Sequence, residues 1–191
     1  MAIRSLKTNS FSRSLLVGNT YYVPPAFDSI ATVSLSSGQS SVEFTSISGT
    51  YSHLQLRYIA RNASAYWLDL TFNSDTGSNY SHHVLAGNGS TVSASGYTSK
   101  AYIRIGNNSG MASGSNIFSG GIIDILDYTS TTKNKTVRSI TAYDANGSGF
   151  VEYDSGLWFN STISAITSLK LTIGSGNIET YSRFALYGIK A

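Results

Sequence analysis

The chain of 191 residues has no cysteine, only two prolines and two tryptophans, and charge on only 12% of its positions. Without cysteine there is no disulfide framework and no thiolate zinc or iron–sulfur site. No apolar run approaches the roughly 18 residues that cross a bilayer as a helix. After Arg4, Lys7 and Arg13 the only early apolar stretch is Leu15, Leu16 and Val17, too short for the h-region of a signal peptide. The expectation is therefore folding in a reducing cytoplasm, without membrane insertion. No P-loop, dinucleotide fingerprint or G-x-S-x-G elbow occurs. The little charge there is cannot keep the chain unfolded, because 41% of it is hydrophobic.

What the chain does have is small polar and aromatic residues. There are 34 Ser, 18 Thr, 18 Gly and 13 Asn, with 13 Tyr and 8 Phe. The net charge of +3 sits entirely in residues 1–27, since Arg4, Lys7 and Arg13 precede the first acid, Asp28. Residues 28–191 hold ten basic and ten acidic groups. Three cations displace too few counterions for a nucleic-acid surface, so no nucleic-acid partner is expected. Residues 1–27 also carry Ile3, Leu6, Phe11, Leu15, Leu16, Val17, Tyr21, Tyr22 and Val23. That is too apolar for a solvated tail, and it reads as an extended arm that docks on a partner, ending in the stiff Pro24-Pro25.

From Ile30 the apolar residues alternate with period two, broken by Gly, Ser and Asn clusters. About eleven short strands are expected, at 30–36, 41–45, 53–61, 66–72, 80–86, 99–105, 117–127, 135–143, 150–159, 166–173 and 179–189. No helix is expected. Evenly spaced strands of this kind imply an all-β antiparallel sandwich over 28–191, with the jelly roll favoured at this size.

Several motifs bear on chemistry. His82 and His83 are adjacent on a strand, so they point to opposite faces and cannot chelate one ion; a polar strand face is their expected setting. Asp144, Asn146 and Ser148 alternate before Gly149 like the first half of a calcium loop. The twelfth position is Ser155 instead of Glu, and a Gly/Asn hairpin turn accounts for the same residues. No cofactor is expected. Glycoside hydrolysis needs two carboxylates about a cleft, and candidates such as Glu43, Asp69, Asp124, Asp127, Glu152 and Asp154 form no distinctive pair. Trp67 sits opposite the apolar face of its strand; with Tyr97 it is a candidate stacking platform for sugar rings, set against ordinary core packing. Seven Asn-x-Ser/Thr sequons occur, which a Ser/Thr-rich chain produces by chance.

Five segments carry a resemblance: SLKTNSFSRSLLVGN (5–19), LTFNSDTGSNYSHHVLAGNGS (70–90), IIDILDY with KNKTVRSITAYDANGSG (122–149), SGLWFNS (155–161) and FALYGIKA (184–191). Together they resemble a family of virion proteins of marine and freshwater tailed bacteriophages, cyanophages among them. The resemblance runs nearly end to end. It implies a non-enzymatic jelly-roll module in the virion, made in the host cytoplasm, whose partners are other capsid or tail proteins. By analogy to such proteins a homo-oligomer, most simply a trimer, is expected. Arg4, Leu6, Lys7, Phe11, Arg13, Leu15 and Leu16 are the expected anchoring residues. The alternatives are a carbohydrate-binding module that recognises a host-surface glycan, and a glycan depolymerase.

Overall fold

The computed structural model describes residues 26–64, 66–106 and 114–190, with the backbone of 15–17 and 20–22. Two antiparallel sheets face each other. The larger has eight strands in the order β3 (Phe27–Ser34), β14 (Arg183–Ile189), β5 (His53–Ala60), β10 (Ser119–Leu126), β11 (Lys135–Asp144), β12 (Gly149–Trp158), β7 (Tyr80–Gly87) and β8 (Val92–Lys100). The smaller has four, in the order β4 (Ser41–Phe44), β13 (Leu169–Ile173), β6 (Leu68–Phe72) and β9 (Ile103–Ile105). A separate hairpin, β1 (Leu15–Val17) and β2 (Thr20–Tyr22), pairs with no other strand among the described residues. Among the described residues there is no helix, and so none long and apolar enough to cross a membrane. The all-β antiparallel sandwich expected from the alternation is the fold.

The core lies where the sheets overlap. Leu54, Leu56, Ile123, Ile125, Phe184 and Leu186 come from the larger sheet. Val42, Phe44, Leu70, Phe72, Ile103 and Leu171 meet them from the smaller. Each fully buried side chain of this size contributes about 1.5–3 kcal/mol relative to exposure. Close approach demands small residues at points. A Cβ on Gly121 would lie 2.3 Å from the Tyr58 ring, and one on Gly156 would lie 2.6 Å from Ile103 of the opposite sheet.

Two hairpins, β7–β8 and β11–β12, lengthen the larger sheet to eight strands, and of these β12 and β7 meet β9 of the smaller sheet. Setting those four strands aside leaves β3-β14-β5-β10 facing β4-β13-β6-β9.

The twelve strands of the sandwich among the described residues agree with the expectation of about eleven, with four differences of detail. The run 99–105 is the end of β8 and then β9, separated by a break at Ala101–Tyr102. β8 begins at Val92 and is rich in Ser, Thr and Gly; as an edge strand it needs no apolar face, so alternation does not mark it. Strand β13 begins at Leu169, because the preceding residues form a loop in which Asn73 Oδ1 accepts from the amides of Thr167 (2.8 Å) and Ser168 (3.2 Å). Strand β14 begins at Arg183, after Tyr181 turns the chain at φ 71°.

Candidate functional site

The structure brings Trp67 and Tyr97 together, with Arg104 between them. Strand β9 pairs with β6 so that Arg104 lies opposite Asp69. The Arg104 guanidinium stands 3.6 Å over the Trp67 ring, 5.8 Å from Tyr97 and 5.5 Å from Tyr102, whose hydroxyl accepts from Nη2 at 2.9 Å. The Lys100 ammonium is 5.6 Å from the Tyr97 ring. These are cation–π distances, so the aromatics hold two cations at the end of the smaller sheet. The same contacts occupy the rings. Arg104 covers one face of Trp67, and Tyr66 leans on it at 5.0 Å. His82 stacks on Tyr97 at 4.7 Å.

The two histidines divide as their adjacency requires: His83 is exposed and His82 is buried. His82 therefore departs from the polar face expected for it, because the inner face of β7 lies over β9 and the Tyr97 ring. Burial first, then the charges of Arg104, Lys100 and His83, pushes the His82 imidazole down to about 4, so it is neutral near pH 7. Neither of its ring nitrogens has a hydrogen-bond partner. Burial pushes Asp69 up to about 7 against the opposing pull of Arg104.

A second polar group lies inside the extended part of the larger sheet. Glu152 and Asp154 alternate inward on β12, opposite Thr141 and Ser139 of β11. Asp154 Oδ2 accepts from Ser139 Oγ at 2.9 Å. Burial pushes Asp154 up to about 7, and the Glu152 charge adds to the shift. Burial, with Asp154 and Glu152, also raises the Tyr58 hydroxyl. Both acids are about 1% exposed, which closes them to a substrate of glycan size. Among the described residues no three His, Asp or Glu side chains are grouped to hold a metal.

The residues of the calcium pattern form the β11–β12 turn. Asn146 and Gly147 have φ of 56° and 109°, the pair of positive angles a two-residue hairpin of type I′ requires. Asp144 Oδ1 accepts from the Asn146 amide at 2.7 Å, and the Ala145 amide donates to the Ser148 carbonyl at 2.7 Å. The Asp75 turn is likewise internally bonded. Its carboxylate accepts from the Gly77 amide (2.8 Å), Asn79 Nδ2 (2.9 Å) and Trp158 Nε1 (2.7 Å). Asp124 and Asp127 do not share a strand: β10 ends at Leu126, and Asp127 instead pairs with Lys133 at 2.6 Å.

Of the anchoring residues, Arg4, Leu6, Lys7, Phe11 and Arg13 lie outside the described residues. Leu15 and Leu16 are in β1, registered opposite Tyr22 and Tyr21.

One surface was not foreseen. On the outward side of the larger sheet, Ile122, Ile140, Tyr153, Leu85 and Ala94 are successive register partners across β10, β11, β12, β7 and β8. The next row is Ile59, Gly120, Ala142, Val151, Gly87 and Val92. Between β10 and β8 neither row contains a charge, and its large side chains are between 40% and 78% exposed; on β5 the partner of Ile122 is the exposed Arg57. A third row is polar. In it Asp124 accepts from Gln55 Nε2 at 2.8 Å and from Arg138 Nε at 2.9 Å. The signal in the sequence was the pair of isoleucines Ile122 and Ile140, each alternating with residues that also suit a core.

No family model, curated protein or solved structure matches this chain.

Proposed function

We propose that this chain is a non-enzymatic structural protein of a bacteriophage virion, a jelly-roll module fastened to the particle by its N-terminal arm. The strand order supports the jelly-roll part of this reading. With the two extending hairpins set aside, the eight remaining strands run first-eighth-third-sixth in one sheet and second-seventh-fourth-fifth in the other. That order fits a long hairpin folded over into two Greek keys, which supports a jelly roll. Jelly rolls host many functions, so the assignment to a virion rests on the segments that resemble tailed-phage proteins. Two features fit it. The balanced charge of residues 28–191 gives no strong field to attract nonspecific ionic partners. The β1–β2 hairpin is paired apart from the sandwich, as a separate attachment element would be. Placement as capsid decoration or in the tail or its fibres is equally compatible. The reading calls for no cofactor, nucleic acid or membrane insertion.

Attachment can be tested by deleting residues 1–25, which spares β3 from Phe27 onward. The truncated protein is expected to fold, stay soluble and no longer join particles. Incorporation at the wild-type level would contradict the anchor.

A second reading is recognition of a host-surface glycan. The convergence of Trp67 and Tyr97 on Arg104 favours it, because aromatic faces and a bidentate cation suit an acidic sugar. Binding on a glycan array that is lost in Arg104→Ala would support it. An array with no binding would remove it.

A further inference from the structure

We infer that the outward face of the eight-stranded sheet, from β5 to β8, is the surface by which two copies of this chain bind each other. The sheet has two faces of opposite logic. Inward, β12 presents Glu152 and Asp154 and β11 presents Ser139 and Thr141, all buried. Outward, the same strands present Ile140, Tyr153 and Val151, all about half exposed. A solvated sheet face normally carries polar side chains at these positions. Contiguous exposed apolar surface of this width marks an interaction site in soluble proteins.

Three properties select a second copy as the occupant. The first is area. Six strands at a spacing of about 4.8 Å and three side-chain rows about 6.8 Å apart make a flat footprint on the order of 600 Å². Side-chain relief raises the accessible area above the flat value, toward the roughly 800 Å² per partner of a standard stable interface. The second is charge. From β10 to β8 the two apolar rows have none; on β5 the first row ends in Arg57, whose guanidinium lies over the Phe27 and Tyr187 rings, and in the polar row Asp124 and Arg138 neutralise each other at 2.9 Å. Such a face repels no copy of itself, and with ten charges of each sign across residues 28–191 the domains do not repel either. A strongly charged partner would find only Arg57, at the β5 margin, left to pair with. The third is shape. Two sheets of the same twist stack face to face at about −30°, the packing by which sandwiches form within a chain.

Contact of one face with the same face of another copy is two-fold. The product is a dimer, in departure from the trimer expected by analogy. It does not depend on where the arm attaches, so the dimer stands or falls apart from the virion reading.

Sedimentation velocity on the full chain, from about 1 to about 100 µM, tests this. The wild type is expected to be a dimer within that range. Ile140→Glu with Tyr153→Lys is expected to weaken the dimer more than about 100-fold, because charge enters the centre of an apolar contact. Both side chains point to solvent in the single chain, so circular dichroism and thermal midpoint are expected to hold. Leu85→Lys, one strand away, provides a second variant should the first fail to fold. A wild type that is monomeric throughout, as it would be if its own arm covered the face, overturns the inference. So does a trimer, or a dimer that the folded variants leave intact.

Discussion

Asp154→Asn is expected to reverse a pH-dependent loss of stability. Asp154 is about 1% exposed, and burial pushes its carboxyl from 3.8 up to about 7 in the folded chain. In the unfolded chain it keeps its ordinary value. Between those two values the folded state holds a proton that the unfolded state has released. Stability therefore falls as pH rises, by about 1.4 kcal/mol per pH unit, and levels off above the folded value. The interval from 3.8 to about 7 amounts to about 4 kcal/mol when the group is fully ionised. Asparagine keeps an oxygen to accept from Ser139 Oγ, now 2.9 Å away, and carries no charge. Its amide nitrogen takes the place of one oxygen of a carboxylate that also accepts from the Gly106 amide. An unpaired buried amide costs about 1–3 kcal/mol, but that cost does not change with pH. The prediction is therefore on slope: the stability of the variant minus that of the wild type rises from about pH 4 to about pH 7 and then stays flat. Urea unfolding of both proteins at steps across that range measures it. A difference that is flat throughout, or that falls with pH, would refute the burial argument.

Trp158→Phe removes the indole donor to Asp75, at 2.7 Å, and is expected to cost about 2–3 kcal/mol by urea unfolding, as for a hydrogen bond to a charged group. Burial pushes Asp75 up, but the bonds from Trp158, Asn79 and Gly77 outweigh it and hold the carboxyl below its ordinary value. Asp75 therefore stabilises the fold above the ordinary carboxylate value and loses that effect in acid; in the variant the acid loss is expected at higher pH, followed by NMR titration. Gly121→Ala would place a Cβ 2.3 Å from the Tyr58 ring, itself stacked on Phe184 at 5.7 Å, and is expected to cost about 1–3 kcal/mol. Gly120→Ala, with nothing within 4 Å of its Cβ, is the control, and its thermal midpoint is expected to stay near the wild-type value.

The sandwich was legible because period-two alternation is a direct consequence of strand geometry. In 53–61 the residues Leu54, Leu56, Tyr58 and Ala60 alternate and all point into the core. Which face points inward was less legible in β11 and β12. Val137, Ser139 and Thr141 are inside while Arg138, Ile140 and Ala142 are outside, so neither set reads as the core. Strand β8 was invisible because a solvated edge has no apolar face to repeat. Partition into two sheets depends on pairing between residues far apart, such as β5 with β14, which local pattern does not encode. At the candidate site, Trp67 was legible as an aromatic opposite the apolar residues of 66–72, and Tyr97 only as an aromatic between two expected strands. Arg104, which joins them, was not, because only the β6–β9 register places it beside Trp67. The buried Lys135 was equally hidden. Its ammonium donates to the carbonyls of Ser130 and Lys133, so it ties down the loop after β10.

The central claim is that this chain is a structural part of a virion. An electron-microscopy map of the intact particle tests it most directly. The account predicts density for this sandwich at regular positions on the capsid or tail, with residues 1–25 running into a neighbouring protein. Particles in whose maps no such density is found, or in whose protein content this chain is absent, would contradict it.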